Sequence, residues 1–164
     1  MNGLKDLYLD QLQDIYSACK QSRDITIELE KAATDAELKE ALHAGHKGIS
    51  DGMDMLRGLI EGHGKDPGGE HCKGMEGLVA EARAHALEED FGDDATRDAM
   101  IVTQYQRMAH YAIAGYGCVK AFAKRLELPD EAQKIDTHLS HTYDGDERMT
   151  EIATSGINGD ARAA

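Results

Sequence analysis

The sequence predicts an all-helical fold, a bundle of five helices. Three observations carry this reading. Apolar residues recur at three-, four- and five-residue steps along most of the chain, the spacing of one helix face. The apolar fraction is dominated by alanine, leucine, isoleucine and methionine, with few valines and no tryptophan, a mixture that favours helix over sheet. Only two prolines interrupt the chain. At 164 residues it reads as one domain, 1–164, large enough to bury a sizeable core.

The first helix is expected from Leu4 to Ala33, with Leu4, Leu7, Leu12, Ile15, Cys19, Ile25 and Leu29 as its stripe. Thr34 followed by Glu37 has the form of a capping box for the second helix, expected from Asp35 to Glu61. Leu38, Leu42, Ile49, Met53, Leu56 and Ile60 form its stripe, and Gly45, Gly48 and Gly52 lie together on one side. Each glycine costs about 1 kcal/mol of helix propensity relative to alanine. Three of them imply close packing or a lost side chain whose space something else fills; a bent helix is the plainer alternative. Gly62 to Gly69 is the clearest linker and suits a crossover between helices. The third helix is expected from His71 to Glu89, and Asp93 or Asp94 caps the fourth, Ala95 to Leu126. Pro129 suits a helix start, so the fifth runs from Asp130 to Ala153. The tail from Ser155 to Ala164, small and polar, is expected to fray.

A net charge of −13 repels nucleic acid and anionic membranes, and no basic cluster offsets it. Three widely spaced cysteines, Cys19, Cys72 and Cys118, argue against a disulfide scaffold. With no apolar signal core and no long apolar run, the expectation is a cytoplasmic protein without a membrane segment.

Bundles build metal sites from mid-helix side chains on facing helices. Here those positions offer Cys19, His43 and His46, Glu81 and His85, His110, and His141 with Asp144. His43 and His46 are three apart, as are His138 and His141. A mononuclear zinc, iron or copper site can be drawn from cysteine, histidine and glutamate on such facing helices. Eight histidines in a helical chain also produce such spacings by chance, and a histidine bonded to a carboxylate or tyrosine is the plainer reading. Glu81 lies on the flank of the inward stripe, where a partner such as His46 or His110 is expected.

Asp14-Ile15-Tyr16-Ser17-Ala18-Cys19-Lys20-Gln21, the stretch Cys72 to Glu81, Arg97-Asp98-Ala99, and His110-Tyr111 with Ile113-Ala114-Gly115-Tyr116-Gly117 resemble segments of the bacterial YciE/YciF-type stress proteins. The likeness runs from about Leu4 to Ala153. It implies a ferritin-like four-helix bundle with a fifth C-terminal helix, a homodimer, a stress-associated role and a dinuclear iron site between the main helices. At that implied site this chain departs from the family. Cys19 stands where the family has glutamate, and Gly48-Ile49 stand for two glutamates. Ala109 and Ala112 flank His110-Tyr111 in place of two more, and His141-Thr142 replace a Glu-Glu pair. His46, Glu81, His110 and Asp146 remain. So few carboxylates neutralise two ferric ions poorly. The expectation is a non-catalytic ferritin-like protein with a structural or interaction role and an unidentified protein partner. The alternative is a metal-binding oxidoreductase or peroxide-handling protein whose remodelled site, built from His46, Glu81 and nearby Cys19, His110 or His141, holds iron or another transition metal; iron storage is weaker.

Overall fold

The computed structural model describes residues 1–163 and, among them, contains helices and no strand. Helix α1 spans Leu4–Ala32, α2 Ala36–Gly62, α3 Lys73–Ala82, α4 Asp94–Arg125, α5 Pro129–Ile152 and α6 Asn158–Ala163. The backbone widens into π-helical turns at Arg83–Glu88, after α3, and at Ala153–Ile157, between α5 and α6. Four long helices form the ring. α1 packs on α2 and α4, and α5 packs on α2 and α4, so the diagonal pairs do not touch extensively. α3 lies outside the ring against α1 and α4. This is a ferritin-like bundle.

Local chemistry sets the ends. The cap of α2 is Asp35, whose carboxylate accepts from the Leu38 N–H at 2.8 Å, rather than the Thr34 box the sequence suggested. Thr34 is committed elsewhere. Its N–H (2.9 Å) and hydroxyl (2.7 Å), with the Asp35 N–H (2.7 Å), all donate to the carboxylate of Asp98 on α4, which is 2 % exposed. A buried acid thus pins the α1–α2 turn at the positive N-terminus of α2. Gly64, at φ 69°, closes α2 with bonds from its own N–H to Glu61 O and from Lys65 N–H to Ile60 O, the reciprocal pair of a left-handed cap. Asp93 caps α4 through the Thr96 N–H, and Pro129 occupies the first turn of α5.

The tail does not conform to the fraying expected from Ser155. It is helical through Ala163, and Ile157 is buried beside Met149 and Ile152. One apolar side chain, overlooked among small and polar neighbours, docks the segment.

The core has two halves. Ile25, Leu29, Leu38, Leu42, Met75, Ile101 and Met149 fill the end that carries the α1–α2 turn. Tyr8, Leu12, Met53, Leu56, Val119 and Ile135 fill the other. Between them the helices meet through smaller or polar side chains: Cys19, Ser22, Thr26, Tyr105, Tyr116 and His138. Among the described residues no helix is long and apolar enough to cross a membrane.

Candidate functional site

The middle of the bundle holds a cavity of about 40 Å³ where the two core halves join. Its wall is Cys19, Ser22 and Thr26 from α1, Ile49 from α2, Tyr105, Met108, Ala109, Ala112 and Tyr116 from α4, and His138 and Thr142 from α5. Among the described residues no carboxylate lines it. Ser22 and Thr26 turn their hydroxyls back to the carbonyls of Cys19 and Ser22, at 3.2 and 2.7 Å. The Cys19 thiol and Tyr116 hydroxyl share a hydrogen bond at 3.3 Å.

Two of the α2 glycines, Gly45 and Gly52, explain how rings came to fill this centre. A Cβ at Gly52 would stand 2.3 Å from His138 Nε2 and 3.0 Å from the Tyr116 hydroxyl. One at Gly45 would stand 2.6 Å from the Tyr105 hydroxyl. Nothing lies within 4 Å of the corresponding point at Gly48, which borders an outer groove of about 410 Å³ between α2 and α5. Gly45 and Gly52 therefore serve close approach, one of the readings the sequence offered, and Gly48 does not.

Electrostatics keep the centre neutral. Burial, and then the neighbouring His141, lowers the pKa of His138, so its imidazole stays uncharged. Burial pushes the Cys19 thiol up to about 11 and Tyr105 up to about 12; Tyr116 moves well up for the same reason. A protonated thiol is a poor metal ligand and a poor nucleophile. This gives a direct expectation for an aromatic-disulfide thiol assay on the native protein. Cys118, the exposed cysteine, reacts first, and buried Cys19 and Cys72 react roughly 100-fold more slowly or only on unfolding. Cys118→Ser should abolish the fast phase; a surviving fast phase would contradict this arrangement.

The five residues singled out from sequence do not converge. Cys19 is in the cavity wall, bonded to Tyr116. His141 is on the outer groove, its ring centroid 6.4 Å from that of His138. His110 is largely exposed and bonds Asp146 at 2.9 Å. Glu81 is exposed and lies 3.5 Å from His85, with neither His46 nor His110 as partner. The reason is the position of α3 outside the ring. Its buried side is Met75 and Ala82, and Glu81 points about 100° away from Ala82. His46 alone joins a cluster of metal-ligating side chains, with His43 and Glu30.

Glu30 had escaped the sequence reading. It follows Cys19 by eleven residues, three helical turns, and so shares its face of α1; that spacing was the available signal. Its two carboxylate oxygens meet His43 Nδ1 at 3.2 Å and His46 Nε2 at 2.8 Å. The fold therefore carries a sparse, non-canonical His/Glu cluster, as a degenerate di-iron site would leave, and no complete catalytic metal site among the described residues. A dinuclear iron centre of the ferritin type does not fit the cavity, whose donors are a protonated thiol, hydroxyls and one neutral imidazole.

Comparison with known proteins agrees with this architecture. The family model described as a domain of unknown function, DUF892, matches residues 3–162. Protein YciF of Escherichia coli strain K12 is 26 % identical over 159 residues, covering 96 % of this chain and 95 % of that protein. The crystal structure of the E. coli stress protein YciF superposes with a TM-score of 0.88 at 26 % identity, over 96 % of this chain and 99 % of that one. The structure of YcfI from Rhodopseudomonas palustris gives 0.85 at 28 % identity, over 92 % and 94 %.

Proposed function

We infer, for a chain that belongs to the DUF892 family of ferritin-like, YciF-type proteins, a non-catalytic structural or interaction role in place of di-iron chemistry. The observation that supports this most is the lining of the central cavity. Four helices meet there as they would around two metal ions, and the inward positions present thiol, hydroxyl, methyl and imidazole groups. Carboxylates at such positions neutralise the cations; without them two ferric ions would be under-coordinated. The chain keeps the scaffold and uses the vacated volume for aromatic packing. The reading extends to a cytoplasmic homodimer associated with stress, as in the proteins it is similar to. Met1 and Tyr143 are the large apolar residues exposed among those described, so a second copy would meet a surface without a broad apolar strip.

The test is iron reconstitution. The apo chain is incubated anaerobically with ferrous iron, exposed to oxygen, and assayed for bound iron and for oxidation kinetics. The expected result is oxidation no faster than in buffer and no interior iron. About two irons per chain, lost on His138→Ala, would overturn the proposal. A metal-dependent oxidoreductase is the second reading, and the Glu30–His43–His46 cluster is what favours it; it requires activity that disappears with His46→Ala.

A further inference from the structure

We propose that Glu30, His43 and His46 form a mononuclear site for a zinc-class divalent cation that clips α1 to α2 apart from the central cavity. The site is independent of the central cavity: none of its three residues lines that space. Glu30 is near the end of α1, and His43 and His46 stand one turn apart on α2, which runs back antiparallel along it. That spacing puts both imidazoles on one side of α2, their ring centroids 4.8 Å apart at 80°.

The geometry is already near what an ion needs. A tetrahedral cation with bonds of about 2.0–2.1 Å holds its ligand atoms roughly 3.3 Å apart. Here the nitrogen–oxygen separations are 3.2 and 2.8 Å, and all three ligand atoms lie within 4.8 Å of one another. Small side-chain shifts close the set around one ion. Two imidazoles and one carboxylate suit zinc and its neighbours, and leave a fourth position for water.

Access also fits. The side chains of His46 and Glu30 are 19 % and 26 % exposed, while His43 is 65 % exposed. Two ligands are therefore held by the protein and the third stands at the entrance, an arrangement for an exchangeable ion rather than a sealed one. In its absence the carboxylate takes a hydrogen bond from each ring. Because the ligands come from two helices, the complete set exists only in the folded chain, and metal binding adds to stability.

The experiment uses the full chain stripped with a chelator and titrated with zinc chloride by calorimetry, with parallel thermal melts. One zinc per chain is expected. At a hundredfold excess over the dissociation constant, the melting midpoint should rise on the order of 5–10 °C. His46→Ala and the near-isosteric Glu30→Gln should each weaken zinc binding by about 100-fold or more. Glu30→Gln guards against a variant that fails to fold, checked by circular dichroism. His85→Ala and His141→Ala should leave binding unchanged. Cobalt substitution should give visible ligand-field bands that vanish with Glu30→Gln. The absence of zinc binding, or zinc binding that survives both cluster variants, would show a hydrogen-bonded cluster only and overturn the proposal. Interior iron that depends on His138 would count against the non-catalytic reading and leave this one standing.

Discussion

Asp98→Ala should destabilise the protein by about 3 kcal/mol, lowering its melting midpoint by roughly 6–12 °C. The carboxylate is 2 % exposed and accepts from the Thr34 N–H, the Thr34 hydroxyl and the Asp35 N–H. Bonds to a charged acceptor each contribute about 1.5–3 kcal/mol, and their loss leaves donors at the N-terminus of α2 without a partner. Water reaches some of them at this turn, which holds the total nearer to 3 than to the sum. The alanine also removes the polar tie between α4 and the entry to α2. Thr34→Ala, which deletes only the hydroxyl bond, should cost about 1 kcal/mol. Asp98→Asn should fall between them, because its amide nitrogen turns a donor toward donors. Urea denaturation with an unchanged m-value measures all three. A cost below 1 kcal/mol for Asp98→Ala would mean that the turn is held by its own backbone.

The second large effect is at Gly52, where two terms of opposite sign compete. Alanine should gain about 1 kcal/mol of helix propensity there. Its methyl would also lie 2.3 Å from His138 Nε2, a separation real Cβ atoms essentially never show, and 3.0 Å from the Tyr116 hydroxyl, tighter than most. Overpacking of this kind costs about 1–3 kcal/mol, and Tyr116, 1 % exposed, has no room to withdraw. His138, half-buried beside the outer groove, can yield only by giving up its edge-on contact with Tyr116, whose centroid is 5.0 Å away. Gly52→Ala should therefore destabilise by about 1–2 kcal/mol. In a His138→Ala background the same change should be close to neutral, since the severe clash is gone and the propensity gain offsets the remaining tight approach to Tyr116. A double-mutant cycle measures this coupling, expected at about 1–2 kcal/mol. Additive effects would place His138 elsewhere. Gly48→Ala, with open space at the same point, is the control and should be stabilising.

The helices were legible in the sequence because periodicity, caps and breakers are local. Asp93 and Pro129 start α4 and α5 where their chemistry predicts, and the ends of the four long helices fall within a residue of expectation. The centre was less legible, because it depends on which helices face one another. Counting α3 among the facing helices put Glu81 inside; α3 packs outside the ring, and Glu81 meets His85 in solvent. Asp98 could be read as part of a familiar segment, but not as the partner of Thr34, 64 positions away. The glycines of α2 hinted at close approach, yet only coordinates show that Tyr105 and His138 are what approach.

The filling of the space over Gly45 and Gly52 also fixes an order of operations for anyone who wishes to restore a dinuclear centre. A new ligand side chain cannot simply be introduced at position 52, because the imidazole of His138 already stands where its first carbon would go. The occupant must leave before the ligand returns, and Tyr116, bonded to Cys19, closes the same route from the other side. At positions 45 and 52 a single substitution is thus a step uphill in packing, and only a concerted replacement with Tyr105, or with His138 and Tyr116, crosses between the two solutions. The bundle holds one shape that two incompatible interiors can support, with a steric barrier on the path between them.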